Sequence, residues 1–281
     1  MSQAPETIGI LCGAGDLPLQ VARSLRRRGA RVVAVGIKGE ADAGIESCAD
    51  QMHWTGLAKL GRWVRLFKAA DVNVVLMLGA IRKQRMFGNL AALVPDWRSV
   101  KLWYSRLGSR EDHTILEAVV EEFEREGLRV GSVLDYCPGL LAERGPLTRR
   151  EPDEAQWRDI RFGWPLAKQI AALQIGQCIV VRDGAVVAVE GIDGTDATLE
   201  RGGRLAGGGA VAIKVQKHGH DLRFDIPCVG PDTVRTMADA GVAVLALEAG
   251  GTLVLDREQV RDLAEQAGVS LVAVAEEDVK Q

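Results

Sequence analysis

The sequence predicts an α/β protein: an N-terminal Rossmann-like open sheet and a C-terminal mixed α/β domain, joined by a linker. Three observations carry that expectation. Short apolar runs alternate with amphipathic segments from the start of the chain. A stretch rich in proline, glycine and charge, without apolar periodicity, interrupts the pattern at residues 137–154. In the second half, an Asp-Gly pair between two β-rich runs marks an antiparallel hairpin. At 281 residues and 47% hydrophobic content the chain is long enough for two cores. The domains are therefore expected at 1–136 and 155–281, with 137–154 between them.

Residues 7–12, TIGILC, form an apolar run that meets a glycine turn; LQVARSLRRRG follows with apolar positions at helical spacing and Gly29 at its end. ARVVAVGI at 30–37 reads as a second buried strand, CADQMHW as a short third, and VNVVLMLGA at 72–80 as the fullest apolar run of this half. Helices are expected at 57–70 and near 112–127. This alternation implies a parallel sheet covered on both faces, with ligands beyond the carboxyl ends of its strands. Past the linker, WRDIRFGWPLAKQIAALQIG reads as largely helical and feeds QCIVVRDGAVVAVE, whose Asp183-Gly184 favours a type I′ turn. A strand at 210–216, a helix near 231–240, strands at 242–247 and 252–255, a helix at 256–267 and a strand at 269–274 complete the reading, with no internal repeat.

Composition excludes several classes. No run of about 18 apolar residues occurs, and the opening MSQAPETIGIL has neither a basic region nor a small-residue cleavage site before its first strand, so a cytoplasmic protein is expected. The five cysteines are scattered and form no CxxC pair, which argues against a disulfide framework or a zinc cage. Residues 1–135 carry 19 Lys/Arg against 16 Asp/Glu, and residues 136–281 carry 16 against 22. The asymmetry suits an anionic ligand on one side and a cation on the other, although surface solvation produces the same imbalance. No concentrated basic stripe is present, so nucleic acid is not an expected partner.

Three segments of the N-terminal half are candidate binding elements. Gly13-Ala14-Gly15-Asp16-Leu17-Pro18 opens a helix after a strand, where amides and the helix dipole receive phosphate. Pro18 stands where GxGxxG needs its third glycine, and no acidic residue closes the next strand as a ribose anchor, so a tight turn without ligand is the competing reading. The strand through Gly79 runs into Arg82, Lys83 and Arg85, a phosphate grip or a solvated loop. Lys59, Arg62, Arg65 and Lys68 punctuate Leu60, Trp63, Val64 and Phe67, a basic amphipathic helix that either rests on anionic headgroups or covers the sheet.

The densest constellation lies in the C-terminal half. Glu190, Asp193 and Asp196 fall within seven residues at a strand end, in AVEGIDGTD. Asp221 and Asp225 follow in KVQKHGHDLRFDIP with Lys214, Lys217 and Arg223. Brought together, these carboxylates would repel one another unless a hard cation or protons neutralised them, and magnesium is the natural occupant. Water would then attack phosphorus while the cations offset the developing charge. The bland reading is a polar turn and a salt-bridged loop. His218 and His220 lack the companion motifs of a dinuclear metallophosphoesterase, and Cys228 lies too near the acids to serve as a nucleophile.

Together IGILCGAGDLP, GQCIVV, AVEGIDGTD and KVQKHGHDLRFDIPCVGPDTV resemble the LpxI family, along the whole chain. The resemblance implies hydrolysis of UDP-2,3-diacylglucosamine to UMP and 2,3-diacylglucosamine 1-phosphate in lipid A synthesis, with a divalent cation, Mg2+ or Mn2+, and water attacking the phosphorus next to the sugar. It implies a lipid-linked nucleotide held between the two domains, and Asp225 as the essential acid with Asp193, Asp196 and Glu190 in support. Asp193, Asp196, Asp221 and Asp225 would hold the metal. Gly13, Ala14, Gly15, Gly79, Arg82, Thr195, Lys214, Lys217 and Arg223 would meet the substrate. His220 and Cys228 depart from the family pattern, which has glutamine and threonine there, and this puts roles beside the centre in doubt. Leu90, Leu93, Val94, Trp97, Leu102 and Trp103 are candidates for an apolar wall, or for ordinary core. A peripheral contact with the inner membrane and a homo-oligomer are compatible with this reading. The rivals are a non-catalytic nucleotide-sugar or lipid carrier, which needs no acid cluster, and a nicotinamide-dependent oxidoreductase, which needs the complete glycine fingerprint.

Overall fold

The computed structural model describes residues 5–81, 95–100, 112–217, 223 and 226–280, with backbone alone at 112–114. The chain divides into two units, the first running to Pro138 and taking in Arg223, the second comprising the rest.

In the first unit five parallel strands form a sheet of order β3-β2-β1-β4-β5: β1 (Thr7–Cys12), β2 (Arg31–Ile37), β3 (Gln51–Thr55), β4 (Val74–Leu78) and β5 (Arg129–Val130). This is the order of a Rossmann half, as the alternating runs predicted. The connecting helices are α1 (Leu17–Arg27), α2 (Ile45–Cys48), α3 (Leu60–Ala69), α4 (Asp112–Arg125) and α5 (Val133–Tyr136). Pro18 in the first turn of α1 sets the helical φ where an N–H partner is lacking anyway, and Arg26 and Arg27 meet the negative end of its dipole. Leu60, Trp63, Val64 and Phe67 of α3 are buried against the sheet. The apolar stripe of this basic helix is thus committed to the core and is not available to a lipid surface; Lys68 turns outward to Glu126 at 3.1 Å.

The second unit is built on a six-stranded mixed sheet of order β6-β13-β11-β9-β7-β8. Its strands are β6 (Gly145–Pro146), β7 (Cys178–Arg182), β8 (Ala185–Val189), β9 (Ala210–Lys214), β11 (Val242–Glu248) and β13 (Ser270–Val274), while β10 (Cys228–Val229) pairs with β12 (Leu253–Val254) apart from them. Alternate side chains sort to the two faces. Ile179, Val181, Ile213, Ala246 and Val272 pack under α6 (Glu154–Ala172). Cys178, Val180, Ala212, Leu245 and Leu271 pack under α7 (Gly194–Ala206), α8 (Pro231–Ala240) and α9 (Arg257–Ala267). A short α10 (Glu276–Val279) ends the described chain.

Asp183 and Gly184 both take positive φ, 48° and 73°, the backbone of a type I′ turn. The buried Asp159 of α6 accepts both turn amides, at 3.0 and 2.7 Å. The stretch read as a linker is folded into the second unit: β6 is an antiparallel edge of the sheet, the Ala142 amide donates to Thr252, and Thr148 accepts from Leu271. Composition hid this, because an edge of two residues flanked by proline and charge has no periodicity to read.

The longest element absent from the sequence reading is α7. Its three glycines, with three more directly after it, suppress helix propensity, and DGTD reads as a polar turn. The structure gives those glycines a packing reason. A Cβ on Gly202 would meet Val180 at 2.6 Å, and one on Gly203 the Ala240 carbonyl oxygen at 2.1 Å.

Candidate active site

The carboxyl ends of β1 and β4 flank the point where the parallel sheet reverses its order, the place an open sheet offers a ligand. Here that place is closed by backbone. Gly13 donates to Leu78, and Ala14 and Ala80 exchange bonds at 2.7 and 3.0 Å. A Cβ on Gly13 would meet the Ala80 oxygen at 2.6 Å, and one on Gly79 the Ala14 oxygen at 2.6 Å. The amides of Gly13 and Ala14, expected to receive phosphate, are therefore committed to carbonyls. Gly13 and Gly79 are explained by mutual approach, and only Gly15, at φ 92° with open space around it, faces outward.

In the second unit β8 ends directly on the acid-bearing turn. Glu190 is 7% exposed, and both its oxygens have donors: the Thr195 hydroxyl at 3.0 Å and the Gln177 amide at 3.0 Å. Asp193 precedes α7 but does not cap it; its Oδ1 accepts from Gly191 at 3.0 Å and its Oδ2 lies 3.3 Å from Arg201. Asp193, a candidate metal ligand and supporting acid, is thus engaged by its own loop through Gly191 and by α7 through Arg201. Arg201 also donates to Val189, tying α7 back to β8.

Asp196 differs from both. It stands in the first turn of α7, open to solvent on one side and set in dense protein on the others. That partial desolvation raises its carboxyl above the usual aspartate range; Lys214 opposes the shift, and Asp232, Glu200 and Glu190 add to it. Lys214, at the end of β9 and 5% exposed, donates one proton to the Cys228 carbonyl at 2.8 Å and has two more to offer. Burial pushes the Cys178 thiol up to about 12, so it stays protonated beside these charges.

Sequence reasoning missed Asp232 and Glu200, which press on Asp196. The signal for Asp232 was GPDT after a β-rich run, a helix start with proline at its first position. Lys217 is half-buried just past β9. Arg223 belongs to the first unit, where it pairs with Glu124 at 2.7 Å. Asp221, Asp225, Arg82, His218 and His220 lie outside the described residues, as do Leu90, Leu93, Val94, Leu102 and Trp103; Trp97 is 79% exposed. Among the described residues no three His, Cys, Asp or Glu side chains converge as metal ligands. The charge balance felt by Asp196 nonetheless suits a hard cation, since Asp232, Glu200 and Glu190 act on it against Lys214 alone.

One unit thus carries a Rossmann-ordered sheet, and the other carries acids beside a buried lysine at strand ends. The model of the LpxI N-terminal domain matches residues 7–140 and that of the LpxI C-terminal domain residues 143–272. The chain belongs to the LpxI family, and it is a hydrolase. It is 30% identical over 279 residues to the UDP-2,3-diacylglucosamine pyrophosphatase LpxI of Caulobacter vibrioides, covering 95% of this chain and 97% of that one. Over 130 residues it is 27% identical to the bifunctional purine biosynthesis protein PurH of Bacillus subtilis, covering 44% of this chain and 22% of that one. Among solved structures, the biotin carboxylase domain of Hydrogenobacter thermophilus 2-oxoglutarate carboxylase is 17% identical with a TM-score of 0.24, covering 66% of this chain and 36% of that one.

Proposed function

We propose that this chain hydrolyses the pyrophosphate bond of UDP-2,3-diacylglucosamine to UMP and 2,3-diacylglucosamine 1-phosphate, a step of lipid A synthesis, in the cytoplasm at the inner membrane surface and with Mg2+ or Mn2+ bound. The observation that carries the proposal is the 30% identity to the Caulobacter vibrioides enzyme over nearly the full length of both chains.

Water attacks the phosphorus next to the sugar, the bond from that phosphorus to the bridging oxygen breaks, and the bridging oxygen leaves with UMP. Asp225, as the carboxylate, is the general base that takes the water's proton. Asp196, open to solvent and raised by its surroundings, would face the cation or the reacting water. Lys214 keeps two N–H donors for phosphate oxygens, with Lys217 beside it in sequence. The amides opening α7 and α8 add partial positive charge where each helix begins. A bound divalent cation would offset the charge that builds on the diphosphate oxygens. Thr195 has given its one hydroxyl proton to Glu190 and so can only accept, which leaves the phosphate grip to Lys214 and the amides.

The test is incubation with UDP-2,3-diacylglucosamine in oxygen-18 water, with magnesium and with chelator. The expected result is magnesium-dependent release of UMP with label only in 2,3-diacylglucosamine 1-phosphate. Absence of turnover would refute the substrate; label in UMP would refute the point of attack.

A further inference from the structure

We propose that Glu190 is a positioning residue of this site, one that holds the first turn of α7 and touches neither the water nor the cation; the inference rests on the function proposed above. Three elements meet at Glu190. Its own amide donates to the Cys178 carbonyl at 2.8 Å, which fixes the end of β8 on the start of β7. Its Oε2 accepts from Gln177 at the entry to β7, and its Oε1 accepts from Thr195 in the first turn of α7. Gly176 leaves no slack behind it, because a Cβ there would fall 2.1 Å from the Glu190 carbonyl oxygen.

A carboxylate acting as base or ligand needs an oxygen it can present to the reacting group. Glu190 is closed in, with a donor on each oxygen, whereas Asp196, one residue after Thr195, is exposed. The Thr195 hydroxyl bond to Glu190 ties the first turn of α7, from which Asp196 projects, to the ends of β7 and β8. Lys214, Glu200 and Asp232 act on Asp196 from β9, α7 and α8, so a small rotation of this turn changes every charge contact it has. Glu190 thus governs the reaction through Asp196.

The test compares Glu190→Gln and Thr195→Val in the full-length protein. Each should lower kcat about tenfold, leaving KM, the magnesium concentration for half-activity and the pH profile in place, and the double variant should lose no more than either alone. A tenfold rise in the magnesium requirement or loss of a pH limb in Glu190→Gln would overturn the proposal, as would multiplicative losses. Amide hydrogen exchange gives a readout independent of turnover: the first turn of α7 should exchange faster in both variants, and Gln177 faster in Glu190→Gln. Unchanged exchange at Gln177 in Glu190→Gln would remove the clamp. A wild-type protein without turnover would count against the proposed function instead. Should Glu190→Gln fail to fold, Thr195→Val carries both measurements, because it keeps the acid and removes only one of its donors.

Discussion

Gly203 of α7 lies so close to Ala240 that a methyl group there would stand 2.1 Å from the Ala240 carbonyl oxygen, well inside contact distance. Two helices approach backbone to backbone at this point, and the obstacle is a carbonyl that cannot swing aside. Gly203→Ala should therefore destabilise the protein by about 2–3 kcal/mol through overpacking, despite the better helix propensity of alanine. Gly207, which ends α7 at φ 68° with nothing within 4 Å, is the control: alanine there should cost about 1 kcal/mol from backbone strain alone. Urea midpoints of the two variants check the order.

The same contact explains what could and could not be read in the sequence. Strands such as VVLML and SLVAV are buried on both faces, so their character is local and visible in the residues themselves. The helical stripe of α3 is equally local. The glycines of α7 carry information only about Val180 and Ala240, residues far away in the chain, and nothing in GTDATLERGGRLAGGG announces those partners. The site was legible to a similar depth. Residue type placed acids and a lysine at strand ends, but whether an acid faces outward or is engaged by Arg201 or Gln177 depends on three-dimensional neighbours. The bonds of the glycine loop are hidden for the same reason: the amides of Gly13 and Ala14 meet Leu78 and Ala80, more than sixty residues on.

Asp159 joins the hairpin to α6 by accepting two amides of the type I′ turn while almost wholly buried. Asp159→Ala leaves both amides without their acceptor and should cost about 2 kcal/mol. The protein should keep its far-ultraviolet circular dichroism but unfold at lower urea, with faster exchange at Asp183 and Gly184. Asp159→Asn, which retains one acceptor oxygen, should fall between the two.

Asp225 is the residue to which the proposed chemistry assigns the water's proton. Asp225→Ala should lower kcat at least about 100-fold, the range for loss of a general base, with little change in KM or in unfolding midpoint. Turnover within a few-fold of wild type would remove Asp225 from the mechanism.

Asp196 should show the opposite behaviour in stability and in activity. Its carboxyl is held above the ordinary aspartate range, by burial first and then by the charges of Asp232, Glu200 and Glu190 against Lys214. A raised carboxyl means that the folded protein binds this proton more tightly than the unfolded chain does. Stability is therefore lost as pH rises from the unfolded value, about 3.9, through the raised folded value, and the loss persists at neutral pH. Asparagine removes the charge, so Asp196→Asn should raise the melting midpoint at pH 7 and leave it unchanged near pH 3, where both states hold the proton. The gain should be small and should shrink in high salt, because one side of the carboxyl faces water. Hydrolysis by the same variant should fall by about 100-fold. A destabilised Asp196→Asn at pH 7 would show that the ionised carboxylate is matched to its surroundings, and Asp196 would then belong with Glu190 and Asp193 as a residue that holds the loop.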